Sequence, residues 1–189
     1  MAEQTVVLVK PDGVKRGVVG DILSRFERVG LKIVAMKMVT VDRDFVGKHY
    51  RDDPKWYKSV GDRLLAFYKE NGKDPNEDLG TSDPIELGKK VREWLFIYIT
   101  SGPVVAMLLS GPHAVEIVRK FIGTTYPLNS PPGTIRGDYH YDSPFLSNFG
   151  QRSVENLVHA SGSIEEAEFE KKLWFQKEEI QKYKRIGEE

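Results

Sequence analysis

No cysteine occurs in the 189 residues, which removes disulfide frameworks, thiolate metal sites and thiol nucleophiles at once. Charge of either sign is not in excess: 28 Lys and Arg stand against 28 Asp and Glu. Proteins that live on a nucleic acid backbone usually show a basic surplus, so no obligate nucleic acid partner is expected. No apolar run approaches the length of a membrane span, so no membrane partner is expected either. The opening residues, MAEQTVVLVKPDG, hold an apolar stretch too short for the core of a secretion signal and read instead as a buried strand and a turn. A cytoplasmic setting is the expectation. Hydrophobic content of 40% and charge of 30% suit a single folded domain over residues 1–189, not a disordered chain.

Thr5–Lys10 is short and β-branched, closed by Pro11-Asp12-Gly13, and reads as a central strand. Val18, Val19, Ile22, Leu23, Phe26 and Val29 recur at helical spacing, with Gly30 as the stop. Leu31–Val41 alternates as a half-buried strand, and Asp42 caps a short helix through Tyr50. Two helical stripes follow: Trp56, Val60, Leu64, Phe67 and Tyr68, then Ile85, Leu87, Val91, Trp94, Leu95 and Tyr98. The polar stretch NGKDPNEDLGTS between them reads as a loop, and Asp83-Pro84 as a helix start. Val104–Leu109 is a buried strand and His113–Ile122 an amphipathic helix ended by Gly123. A long loop then runs to the irregular tract HYDSPFLSNFGQRS, around which a further strand must sit. Ser153–Ala160 reads as a short helix, Ser163-Ile-Glu-Glu166 opens another with a capping box, and the tail KEEIQKYKRIGEE reads as charged and solvated. The order implies an α+β sandwich, with helices on a mainly antiparallel sheet.

The chemistry-bearing residues gather in a few stretches. His159 lies in Asn156-Leu-Val-His-Ala-Ser161, and Glu170 follows in EEAEFEKKLWF. A neutral imidazole attacks phosphorus well when an acceptor holds its second nitrogen, although a lone histidine is more often a surface or satisfied core residue. Arg119 precedes Gly123-Thr124-Thr125 by one helical turn, and Arg136 lies in PGTIRGD. Guanidinium forks match phosphate oxygens, and glycines let backbone approach them; taken singly, each arginine could equally be a surface ion-pair partner. Lys10 ends a strand, where a cation can project into a cleft or into solvent.

VKPDGVKRG, SGPVVAM, PGTIRGD and then NLVHAS followed by Glu170 and LWF stand in one order along the chain. That set resembles the nucleoside diphosphate kinase family over roughly residues 5–56 and 91–178. The resemblance implies a ferredoxin-like α/β sandwich with a four-stranded antiparallel sheet. It implies ping-pong transfer of the γ-phosphoryl group from a nucleoside triphosphate, mainly ATP, to a nucleoside diphosphate through a phosphohistidine, maintaining the triphosphate pools. Carried over by motif, His159 is the nucleophile and Glu170 its orienter. Lys10, Tyr50, Arg119, Thr125 and Arg136 would hold the phosphates, with Mg2+ bridging them and no protein ligand to the metal. Asn156 and Lys10 would reach the ribose hydroxyls, and Asp12 and Arg16 would brace the first turn. Homo-oligomers, hexamer or tetramer, are the family's habit.

The chain departs from the pattern in several places. Gly162 stands where the family motif has aspartate, with Ser163 and Glu166 available to cap the next helix instead. Extra residues occur at about 57–90 and about 140–152. Counting back from SGPVVAM gives Val91 and Leu95 as the base-stacking residues; counting forward from Tyr50 gives Trp56 or Tyr57. Val154 replaces a glycine near the base, and the loop Tyr126–Pro132, a family oligomer contact, is altered. Two other classes stand beside the kinase: a nucleotide-binding regulatory domain of the same fold with little or no turnover, and a structural or nucleic-acid-binding protein. The retained His159 with its orienter argues against the first, the balanced charge against the second.

Overall fold

The computed structural model describes residues 2–50 and 52–186. The chain forms two compact units, Met1–Thr40 with Gly102–Tyr141 and Asn156–Glu189, and Val41–Ser101 with Asp142–Glu155.

The first unit is built on a four-stranded sheet in the order β2-β3-β1-β4. Its strands are β1 (Glu3–Val9), β2 (Lys32–Val39), β3 (Val104–Gly111) and β4 (Val158–Ala160). Every neighbouring pair is antiparallel, with Val7 opposite both Met107 and Ala160, and Leu8 opposite His159. This is the ferredoxin-like order, as expected. Five successive residues of β1 are buried, the mark of a strand covered on both faces. On one face Val7, Val9, Met107, Leu109 and Val158 pack with Ile22 and Phe26 of α2 (Val19–Arg28) and Val118 and Ile122 of α7 (Ala114–Ile122). Helix α10 (Ile164–Trp174) packs on β1 as well. Two short helices complete this unit, α1 (Pro11–Lys15) and α8 (Ile135–Tyr139).

The histidine segment is a strand, not the helix its sequence suggested. Leu157 sits at φ 66, which a helix cannot contain, and Val158–Ala160 pairs with β1. An eight-residue segment is too short for its apolar spacing to separate period 3.6 from period 2. The consequence for the site is direct. Alternation sends Val158 and Ala160 into the core and turns His159 to the opposite face. The fourth strand that the connectivity demanded is therefore this one, while the irregular tract holds a helix.

The tail is largely exposed, as its charge suggests, yet tethered. Strand β2 is an edge with a bulge between Ile33 and Ala35. Gln181 donates its N–H to the Val34 carbonyl at 2.7 Å, the Tyr183 hydroxyl donates to the Ile33 carbonyl at 2.7 Å, and Arg185 reaches the carbonyls of Gly30 and Leu31. Lys37 pairs with Glu179 at 2.8 Å. Periodicity could not reveal this, because the partner is backbone left open by an edge and a bulge. The tail's last residues, 187–189, lie outside the described residues.

The second unit is helical: α3 (Arg43–His49), α4 (Pro54–Glu70), α5 (Pro75–Leu79), α6 (Pro84–Thr100) and α9 (Pro144–Phe149). The two stripes form α4 and α6, while the polar loop between them holds α5, capped by Asp74. Helices α4 and α6 cross through glycine. A Cβ at Gly88 would lie 2.1 Å from the Tyr57 carbonyl oxygen, and one at Gly61 1.7 Å from that of Pro84. Leu64, Tyr68, Leu79 and Leu87 fill the space beside the crossing, joined by Val91, Trp94 and Phe149. In α9 Ser143 caps by accepting from the Leu146 N–H, and buried Asp142 accepts two bonds from Arg152.

Candidate active site

Strand β1 ends at Val9, and Lys10 becomes the cap of α1 because Pro11 suits a first helical position. The turn binds the histidine segment by its backbone. Lys10 donates its N–H to the Leu157 carbonyl at 2.7 Å, and Asp12 Oδ2 accepts the Leu157 N–H at 2.9 Å. Gly13 allows this approach, since a Cβ there would lie 3.1 Å from the Leu157 oxygen and 2.7 Å from a Val9 methyl. A leucine in the left-handed region carries strain of order 1 kcal/mol or more. Both backbone bonds and a side chain with no exposed surface hold it there. Asp12 is thus a brace, as its motif implied.

Behind the turn lies a network of cations and carbonyls. Lys10 Nζ donates to Asn156 Oδ1 at 2.7 Å, and Asn156 Nδ2 donates to the Thr125 carbonyl at 2.8 Å. Arg136, 5% exposed, gives Nε to the Asn156 carbonyl and Nη2 to that of Val158, at 3.0 and 2.6 Å. Its Nη1 reaches the carbonyls of Thr124 and Gly123, at 2.7 and 3.3 Å. The sequence offered Arg136 as a phosphate fork; the fold also spends its donors on staples between two loops. Burial brings the Lys10 ammonium down to about 7, helped by Arg136 and opposed by Asp12.

His159 Nε2 and Glu170 Oε1 stand 2.6 Å apart. The side chain of Glu170 is 3% exposed and that of His159 17%. Glu170 Oε2 accepts from the Ser161 hydroxyl at 2.6 Å, and Ser161 Oγ accepts the N–H of Val6 at 3.2 Å. The carboxylate is therefore fixed through Ser161 to the central strand, and with Nε2 engaged the lone pair falls to Nδ1. Burial pushes the imidazole down to about 3; Lys10, Arg136 and Arg119 add to the effect, and Glu166 pulls the other way. Arg119 is exposed in the last turn of α7, and Thr125 is exposed beyond Gly123.

Lys10, Arg136, Asn156, His159 and Glu170 are thus joined in the first unit. Tyr50, Trp56, Val91 and Leu95 belong to the second. Tyr50 ends α3, with its carbonyl accepting Arg92 Nε at 2.8 Å. Trp56, Val91 and Leu95 are half-buried, Val91 against the Leu64–Leu87 cluster, whereas Tyr57 is buried in the helix crossing. Sequence reasoning gave Ser161 no role. Its signal was the two-residue spacing from His159, which only a strand reading turns into a shared face.

If His159 is the phosphoryl acceptor that the motif resemblance implies, two results follow for the chemistry. Glu170→Ala should slow phosphorylation of His159 about 100-fold without abolishing it, because a ring free to turn loses its attack geometry; an unchanged single-turnover rate would remove the orienting role. The pH profile should be asymmetric. As pH falls through 6.5 an ordinary histidine gains a proton, but a ring lowered to about 3 keeps its lone pair. The rate of phosphohistidine formation should therefore stay level from about pH 7 to about pH 5. Above about 7 the free protein loses the Lys10 charge, so the nucleotide KM should rise with pH there. A rate that halves near 6.5 would show an ordinary ring.

Comparison with known proteins gives the chain's family. A family model described as nucleoside diphosphate kinase matches residues 3–69 and 86–180. The nucleoside diphosphate kinase of Pyrobaculum aerophilum is 51% identical over 94% of this chain and 97% of its own. That of Pyrococcus furiosus is 41% identical over 96% and 88%. A crystal structure of an NDP kinase from Pyrobaculum aerophilum superposes with a TM-score of 0.94 at 49% identity, covering 96% of this chain and all of that one. A Borrelia burgdorferi nucleoside-diphosphate kinase, solved as a transition state mimic with vanadate and ADP, gives a TM-score of 0.77 at 37% identity, covering 97% and 93%. Fold and relatives together define a phosphotransferase. The chain belongs to the nucleoside diphosphate kinase family.

Proposed function

We propose that the chain performs its kinase reaction through His159 Nδ1. The observation that carries the reading is the 2.6 Å contact of Nε2 with buried Glu170, which fixes one tautomer of a ring kept neutral. The Nδ1 lone pair attacks the γ-phosphorus of a nucleoside triphosphate. An N–P bond forms, the bond to the bridging oxygen breaks, and the electron pair leaves with the diphosphate. A second nucleoside diphosphate then attacks the phosphorus with a terminal oxygen, and the pair returns to the ring. Phosphoryl transition states of this kind spread charge over the equatorial oxygens, so positioning and fixed cations supply most of the rate. Lys10, Arg119 and Arg136 supply that charge in the first unit, with Thr125 and Asn156 as neutral partners. Tyr50 for phosphate, and Trp56 or Val91 with Leu95 for the base, rest on the resemblance alone.

Mg2+ fits as part of the nucleotide. The acids beside the ring are committed, Glu170 to His159 and Ser161, and Asp12 to the Leu157 N–H, while the neighbouring side chains are cationic. Such a donor set suits phosphate oxygens better than a hard dication, which takes oxygen ligands in octahedral array. The metal therefore enters as substrate, on the triphosphate, where it would neutralise charge. Assembly into a homo-oligomer and a cytoplasmic setting belong to the same proposal. Among the described residues no helix is long and apolar enough to cross a membrane.

The test is incubation with γ-labelled ATP and Mg2+. Acid-labile, alkali-stable label that disappears on adding GDP is the expected result, and an unlabelled native protein would overturn the reading.

A further inference from the structure

Two carboxylates on α10 reach back to the histidine strand and the turn after it. Glu170 reaches His159 and Ser161. One helical turn earlier, Glu166 Oε2 accepts the N–H of Gly162 at 2.7 Å, and Ser163 Oγ accepts the N–H of Glu166 at 3.1 Å. Residues four apart share a helix face, so the two carboxylates act on successive parts of one turn. Glu170 holds the ring and the residue two beyond it; Glu166 holds the next peptide. Between them the segment 159–162 is fixed at three points to a single rigid helix.

Gly162 marks the same place from the other side. A Cβ on it would lie 2.8 Å from Glu166 Oε2 and meet little else, and its φ is not in the left-handed region. Backbone strain therefore does not require glycine here; what stands where a side chain would project is the end of the exposed Glu166 side chain, which a side chain at 162 would push aside from the Gly162 N–H. A side chain at 162 and the Glu166 carboxylate would therefore compete for the same space.

We infer that Glu166 is a positioning residue for phosphoryl transfer at His159, its carboxylate taking the place that a side chain at position 162 would fill and pinning the turn behind the nucleophile. The inference rests on His159 being the phosphoryl acceptor. Glu166 acts through the Gly162 peptide, whose N–H its Oε2 accepts, and through the spacing of α10 from β4. It needs an acceptor atom and not a charge, so glutamine should serve where alanine does not. A turn released by a fraction of an ångström should cost the attack step about tenfold and leave nucleotide binding alone.

Single-turnover labelling of full-length variants tests this. Glu166→Ala should form phosphohistidine about tenfold more slowly, with the nucleotide KM within about twofold of the native value. Glu166→Gln should be close to native. Thermal melts of both variants keep a loss of stability apart from a loss of alignment. A native labelling rate in Glu166→Ala, an equal loss in Ala and Gln variants, or a loss lying wholly in KM would each overturn the inference. Failure of the native protein to label would instead sink the kinase reading, so the two are separable.

Discussion

His159→Ala should take up no label from γ-labelled ATP and should lose turnover by roughly 10^4-fold or more, the scale seen when a covalent nucleophile is removed. The protein should still fold. The register of β4 is set by backbone pairing with β1, and its anchors in the core are Val158 and Ala160, which the substitution leaves in place. Nucleotide affinity should survive as well, since Lys10, Arg119 and Arg136 remain. A native melting temperature with no phosphoprotein would therefore locate the chemistry in the ring. Retained labelling would move the nucleophile elsewhere, and a variant that unfolds would show that buried Glu170 needs the ring as its partner.

Arg136→Ala should be the most damaging change to stability and should also depress activity. Its guanidinium donates to the carbonyls of Gly123, Thr124, Asn156 and Val158, and the side chain is almost wholly buried. Truncation strands those acceptors in the interior and removes a cation from beside His159 and Lys10. Each buried carbonyl left without a partner costs about 1–3 kcal/mol, but loops relax and water enters, so a net loss of about 3–5 kcal/mol is expected. The midpoint of urea unfolding measures it. Lysine should not restore stability, because one ammonium cannot span loops that a planar fork bridges from both edges. Were the midpoint native and only nucleotide binding lost, Arg136 would be a phosphate ligand and nothing more.

These two residues show how much could be read without coordinates. The motif set gave the family, the strand and helix patterns gave the sandwich, and His159 and Glu170 were the residues those motifs offered for the site. Polar order within the site was not legible. That Arg136 faces carbonyls from two loops depends on tertiary closeness of residues 123–124 and 156–158, which no local spacing encodes. The strand under His159 was misread because three residues of pairing leave no period to detect, and Leu157 at positive φ has no residue-type signal as glycine would. Ser161 was visible as part of a motif, but its job followed only from the strand. Glu166 was visible as a helix cap; its second bond, to Gly162, depends on the path of the turn. The tail's attachment was hidden because its partners are carbonyls, and carbonyls have no side-chain letter.

That attachment has a wider meaning. An open sheet border is an invitation to any foreign strand, and the start of β2 with the two residues before it offers one over residues 30–34. Here the chain's own segment 181–185 is already seated on it through Gln181, Tyr183 and Arg185. A stranger would first have to evict a covalently tethered occupant, whose local concentration no soluble competitor matches. Residues with no part in phosphate chemistry thus occupy backbone acceptors that a foreign strand would otherwise use, while Met36 and Met38 further along the same strand are exposed.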